Sequence, residues 1–374
     1  MSNFLSNHIH VTPHSSDPLT FLSQDLWVPS GARGVFGGQI LAQSIMAATS
    51  TVNAPAGLHS AHCYFLLPAQ QRPTIQYKVE KLSDGRSYSS RLVRAWQGDK
   101  EIFVLMASYA RPSKALPQMV DNQAGAGTST DRKGKQPMAS STDPLHTSST
   151  VSKVKAKFEF PFPKDVRPAS DCEDDAEFLA KWLERSAKAG RQIWEQKFFK
   201  EYIQERRTSP VSISRAHKIT EGSDDSGMLL WRRMIWLRIR ALSPEDGNLE
   251  IVKAMIAYMS DFQFIGTTAR SIGLNQNSTP RLGMLASLDH TIHFYPFPEH
   301  FDPSAPLLHV MESQAVDLIS GRGVARGRIY TSDGHLLAIT AQEGVVRASM
   351  KGKKAKGMIE GGMADIKEDA KAKL

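Results

Sequence analysis

The feature that most constrains the fold is a duplication: the chain writes one helix-and-strand unit twice. Residues Val35–Val52 read as a helix, with Ile40, Leu41, Ile45 and Ala48 at helical spacing, Gly37 and Gly38 at its start and Pro55 beyond its end. Strand-like runs follow at His59–Leu67, Ile75–Val79, Tyr88–Trp96 and Ile102–Tyr109, punctuated by Asp84-Gly85 and Gln97-Gly98-Asp99. The pattern returns with a helix over Leu249–Phe264, where Ile251, Met255, Ile256, Met259 and Phe262 share a side. Strands are again predicted after it, at Asp289–Phe294, Leu307–Ala315, Val324–Tyr330 and Leu336–Val346, the last two joined through Ser332-Asp333-Gly334. Arg232–Leu242 supplies a strand ahead of the second helix. Laying Leu58-His59 on Leu288-Asp289 and Ile102-Phe103 on Leu336-Leu337 superposes the units. Each helix needs a curved sheet over its apolar face, and two such sheets can pair by their edges. The expected class is α+β, two antiparallel sheets each wrapped around a helix.

The rest of the chain behaves differently. Pro112–Lys157 is rich in Ser, Thr, Gly, Pro and Lys and has too few apolar residues to offset the entropy of ordering. The expected organisation is a first repeat over 18–112, a disordered low-complexity insertion over 113–157, a helical connector over 158–207, a second repeat over 208–347 and a flexible tail over 348–374. The connector's amphipathic stretch, Asp174–Arg206, carries Phe178, Trp182, Ile193, Trp194 and Phe198. A formal charge of +8 permits a polyanionic partner. Much of the lysine lies in the insertion and tail, so solvated basic segments are expected and no nucleic-acid role. No apolar run is long enough for a membrane span. Cys63 and Cys172 give no disulfide framework and no metal-ligand spacing.

Several blocks in order carry a family resemblance. Val35-Phe-Gly-Gly-Gln39 and Leu58-His-Ser-Ala-His-Cys-Tyr-Phe65 lie in the first repeat, and Ala286-Ser-Leu-Asp289-His, Glu312-Ser-Gln314 and Thr340-Ala-Gln342-Glu-Gly-Val-Val-Arg347 in the second. Together they resemble the acyl-CoA thioesterase II family of double-hotdog hydrolases. The resemblance implies a double hotdog, hydrolysis of acyl-CoA without a cofactor, and self-association into homo-oligomers. It also implies an aspartate, a hydroxyl and a glutamine as catalytic residues, which here match Asp289, Ser313 and Gln342, with Gln314 as a substrate-binding candidate and the other candidate for the middle position.

Those residue types suit the chemistry. An ionised carboxylate can accept a proton from water, while an amide and a hydroxyl fix that water's attack geometry. Gly37 and Gly38 are candidates to cradle substrate at a helix start, or to permit close helix packing. At the matching positions of the first repeat stand His59 and Ser108, so one site per chain is expected. His62, His290 and His293 lie on strands and lack the helical spacing of a zinc site. Arg232, Arg233, Arg238 and Arg240 read either as contacts for coenzyme A phosphates or as a solvated strand face. The chain ends Ala372-Lys373-Leu374, which resembles the Ser-Lys-Leu address read by the peroxisomal import receptor, so the peroxisomal matrix is the expected location. The rivals are a hotdog enoyl- or hydroxyacyl-CoA hydratase and a non-catalytic acyl-CoA binding module.

Overall fold

Most residues of the two central helices are buried, including the polar Gln39, Gln43 and Lys253, because sheet encloses both helices. The structure, a computed structural model, describes residues 4–112, 159–189, 196–216, 220–223, 229–275 and 278–349. Residues 113–160 form a separate unit, of which only 159 and 160 are described. The expectations for the insertion and for the tail beyond Ser349, including Ala372, Lys373 and Leu374, therefore lie outside the described residues.

The first repeat contains α1 (Leu5–Ile9), β1 (Val11–Pro13), β2 (Thr20–Ser23), α2 (Gly37–Thr49), β3 (Gly57–Phe65), β4 (Ile75–Asp84), β5 (Tyr88–Gln97) and β6 (Lys100–Ala110). Next come α3 (Asp175–Lys188), α4 (Gln196–Thr208), β7 (Val211–Arg215), β8 (Thr220–Ser223) and β9 (Leu229–Ile239). The second repeat adds α5 (Leu249–Ser260), α6 (Gly266–Ser271), β10 (Arg281–Ser287), β11 (Asp289–Phe294), β12 (Leu307–Asp317), β13 (Arg322–Tyr330) and β14 (Leu336–Ser349). Within the expected connector, Ile193 and Trp194 fall outside the described residues.

The two sheets are continuous, in the order β1-β2-β4-β5-β6-β3-β11-β14-β13-β12-β9-β7. The repeat is visible in this order, since β3-β6-β5-β4 mirrors β11-β14-β13-β12. The seam is the antiparallel pair β3–β11, where Asp289 faces Tyr64 and His293 faces Ser60. Joining the repeats there leaves neither edge open. Inside, α2 and α5 lie side by side in opposite directions: a Cβ at Gly38 would meet the Tyr258 carbonyl, while Gly57, beyond the end of α2, approaches Glu250 at the start of α5. One apolar cluster, including Leu41, Ile45, Phe103, Met255, Tyr258 and Ile292, spans both repeats. Among the described residues no helix is long and apolar enough to cross a membrane.

The helix starts differ in a way that matters for the site. The Asn248 side chain accepts the Glu250 N–H at 2.9 Å and so caps α5. By contrast, α2 has Phe36 at its cap position and no capping side chain of its own. The Gln39 and Ile40 N–H groups bond back to the Phe36 carbonyl, and the Gly38 N–H needs another acceptor.

Candidate active site

That acceptor comes from the other repeat. Asp261 directly follows α5, and its carboxylate accepts the backbone N–H of Gly38 in the first turn of α2. It also accepts a hydrogen bond of 2.7 Å from the Gln342 side-chain amide. The same Nε2 donates to Ser287 Oγ at 2.9 Å. Three polar side chains from α5, β10 and β14 thus meet at the N-terminus of α2. With both amide protons committed, Gln342 Oε1 is a buried acceptor that has no partner among the described residues. Ser287 accepts from the amide, which leaves its hydroxyl proton for a ligand.

The expected trio does not assemble this way. Asp289 is half-buried, and its Oδ1 accepts the Glu343 backbone N–H at 2.6 Å, so it does not share Gln342's environment. The cause is a bulge. Ser287 pairs with Gly344 while Thr291 pairs with Ala341, so one extra residue lies opposite β14 between these points. Simple alternation from Leu285 and Ser287 would turn Asp289 inward. The extra residue reverses the phase, and His290 and Ile292 face the helices instead.

Ser313 is also apart. Ser313, Ala325 and Gln342 form a cross-strand row, which separates the first and last by two strand spacings, about 10 Å. Ser313 Oγ instead lies 2.9 Å from Ser271 Oγ on α6. Gln314 sits exposed at a second bulge. Gly37 and Gly38 are at the site, with Gly38 donating to Asp261 and Gly37 leaving room for its Oδ2, which a Cβ would meet at 2.9 Å. Sequence reasoning therefore missed Asp261 and Ser287. A detectable signal was present, because an acid at a helix C-terminus opposes the macrodipole and calls for an explanation.

Burial is the main influence on Asp261 and pushes its carboxyl above the ordinary carboxylate range; the hydrogen bonds from Gln342 and Gly38 pull the other way. Apolar rings contribute to that burial: Phe65 reaches the Gly37 position, and Phe36 stacks on Phe262 at 4.7 Å. Arg206 on α4 caps this aromatic wall, its guanidinium 5.1 Å from the Phe262 ring and 5.2 Å from Trp27. A carboxylate held in a dry setting yet supplied with two donors is suited to accept a proton.

The opposite end of the helix pair is filled. Arg91 is buried and donates to Thr51 Oγ1 at 2.8 Å, the Thr51 carbonyl at 2.9 Å and Asp84 at 2.7 Å. There, Glu250 accepts the Leu58 N–H at 2.8 Å and pairs with Lys253 at 2.7 Å. His59 and Ser108, expected to replace the catalytic set, bond to each other at 2.8 Å. Among the described residues no cluster of His, Cys, Asp or Glu could hold a metal.

Comparison with known proteins agrees with the duplication. Residues 24–110 match the acyl-CoA thioesterase N-terminal domain and residues 185–346 the acyl-CoA thioesterase C-terminal domain. The chain is 29% identical over 353 residues to acyl-CoA thioesterase 2 of Haemophilus influenzae, covering 93% of this chain and 100% of that protein. It is 36% identical over 111 residues to peroxisomal acyl-coenzyme A thioester hydrolase 1 of Saccharomyces cerevisiae, covering 29% and 31%. The fold is shared with the crystal structure of acyl-CoA thioesterase II TesB2 from Mycobacterium marinum, with TM-score 0.55, 20% identity, and 94% and 99% of the two chains covered.

Proposed function

The chain belongs to the acyl-CoA thioesterase II family, and from this we propose that it is an acyl-CoA thioester hydrolase releasing free fatty acid and coenzyme A by direct attack of water. The observation that carries the mechanism is the bonding of Gln342 to both Asp261 and Ser287. In this reading Asp261 is the general base. Gln342 Oε1 and the Ser287 hydroxyl fix the water's remaining hydrogen and lone pair, so its geometry is set before reaction. The N-terminal end of α2 faces the thioester oxygen as it gains charge, with the Gly37 N–H rather than the Gly38 N–H held by Asp261 as the proposed donor. Asp261 then passes the proton to the departing thiolate. Asp261 and Ser287 take the roles first expected of Asp289 and Ser313. With the opposite end filled by Arg91 and Glu250–Lys253, this reading gives one site among the described residues.

Free-thiol release from acyl-CoA, followed across pH, tests this reading. The acid limb of kcat/KM for the parent chain is expected above the ordinary carboxylate range, because burial raises the Asp261 pKa. In Gln342→Ala the limb should move to still higher pH, since the lost hydrogen bond had favoured the charged form. An acid limb that stays put in this variant, or loss of an enoyl double bond without thiol release, contradicts the proposal.

The proposed location is the peroxisome. Its support is the Ala372-Lys373-Leu374 sequence, which resembles the Ser-Lys-Leu peroxisomal address, together with the name of the yeast relative. A fluorescent reporter ending in these residues should collect in peroxisomes; diffuse cytosolic signal counts against the assignment.

A further inference from the structure

Consecutive residues of β11 reach toward the site from opposite faces of the sheet. On the outer face, Asp289 Oδ1 accepts the Glu343 N–H at 2.6 Å, and Glu343 directly follows Gln342. On the inner face, fully buried His290 places Nε2 at 3.0 Å from Ser260 Oγ, and Ser260 directly precedes Asp261. The Ser260 hydroxyl donates to the Ala257 carbonyl at 2.8 Å. With the serine proton on that carbonyl, the tautomer with the proton on Nε2 donates to the serine and leaves Nδ1 as the acceptor. The backbone reinforces the first contact: the Leu288 N–H donates to the Glu343 carbonyl at 2.9 Å, and the Phe65 N–H of the first repeat donates to the Leu288 carbonyl at 2.9 Å. The bulge between Ser287 and Thr291 makes the arrangement possible, because it turns Asp289 outward and His290 inward.

We propose that Asp289 and His290 act as a two-sided clamp, positioning residues that hold the neighbours of Gln342 and Asp261 so that the amide and carboxylate stay in register. The clamp rests on the reading of Asp261 and Gln342 as catalytic. It gives Asp289 a role distinct from that of a base: the carboxylate is needed as a hydrogen-bond acceptor, and its charge is dispensable. His290 contributes a donor and no titration, since burial pushes its pKa down to about 3 and keeps the ring neutral across the working range. Placing the clamp on β11 also ties the site to the seam, because the same strand pairs with β3 of the first repeat.

The test uses the full chain with Asp289→Ala, Asp289→Asn, His290→Leu and His290→Gln, and with Asp261→Asn as reference. Melting curves and far-UV spectra establish that each folds. Asp289→Ala and His290→Leu are expected to lower kcat by about 10- to 100-fold, in the range for small misplacements, with KM within about twofold of the parent. Their acid limbs should move upward, as for Gln342→Ala. Asp289→Asn and His290→Gln keep the acceptor and the donor, so both should stay within about threefold of the parent. Hydrogen exchange supplies a readout independent of turnover: the Glu343 amide should exchange faster in Asp289→Ala and at the parent rate in Asp289→Asn. Loss of activity in Asp289→Asn as deep as in Asp261→Asn overturns the clamp, because charge would then be the requirement. Parent-like kinetics and exchange in Asp289→Ala and His290→Leu overturn it as well. Full activity in Asp261→Asn instead overturns the catalytic reading, while the exchange experiment still decides whether Asp289 holds Glu343.

Discussion

Asp261→Asn is expected to lower kcat by about 100- to 10,000-fold with little change in KM, the range for removing a positioned general base. Asparagine is nearly the same size, and its one carbonyl oxygen can keep the Gly38 N–H, so the helix contact survives while the proton acceptor and the second acceptor oxygen are lost. The same substitution should raise the melting temperature at neutral pH. Burial raises the folded-state pKa of Asp261 above its unfolded value. Above both values the ionised form therefore burdens the folded state, and that burden disappears as pH falls through the folded pKa. Asparagine removes it, so the gain should be largest near neutrality and shrink in acid. Catalytic groups are held in unfavourable surroundings for function, and a variant that melts higher while losing turnover is the expected signature. A variant with parent kcat, or one that melts lower at neutral pH, argues against Asp261 as a buried ionised base.

The repeated unit was legible because its evidence is long-range periodicity. The helix expected over Val35–Val52 spans Gly37–Thr49, and that expected over Leu249–Phe264 spans Leu249–Ser260 before a turn and a further short helix. Alternating runs such as Ile75, Tyr77 and Val79 occupy buried strand positions. The site was less legible, for two physical reasons. Asp261 is adjacent in space to Gly38 through helix packing between repeats, which sequence periodicity does not encode. The second reason is phase. A bulge of one residue changes which face each later residue occupies, so Asp289, the more conspicuous acid, turns outward while Ser287 stays inward. Gln342 lies on an uninterrupted alternating stretch with Thr340, and it is a candidate both in the sequence and in the proposed site.

Both causes meet at the start of α2, where the second large effect is expected. A Cβ at Gly38 would lie 2.5 Å from the Tyr258 carbonyl oxygen and 2.6 Å from a Phe36 ring carbon. The carbonyl belongs to the backbone of α5 and cannot swing aside, so Gly38→Ala must move one helix away from the other. At an unconstrained helical position glycine to alanine stabilises by about 0.5–1 kcal/mol. Here overpacking should reverse the sign, at a cost of about 1–3 kcal/mol. Activity should fall as well, because separating the helices withdraws the Gly38 N–H from Asp261 and shifts the helix terminus that faces the carboxylate. Removing that hydrogen bond also favours protonated Asp261, so the acid limb should move to higher pH. Gly247 makes a suitable control, since a Cβ there meets nothing within 4 Å, and Gly247→Ala should leave melting and turnover near the parent. Melting curves and thiol-release kinetics on the two variants are sufficient. If Gly38→Ala melts at or above the parent temperature with full kcat, close approach of the two helices is not what holds the carboxylate in place.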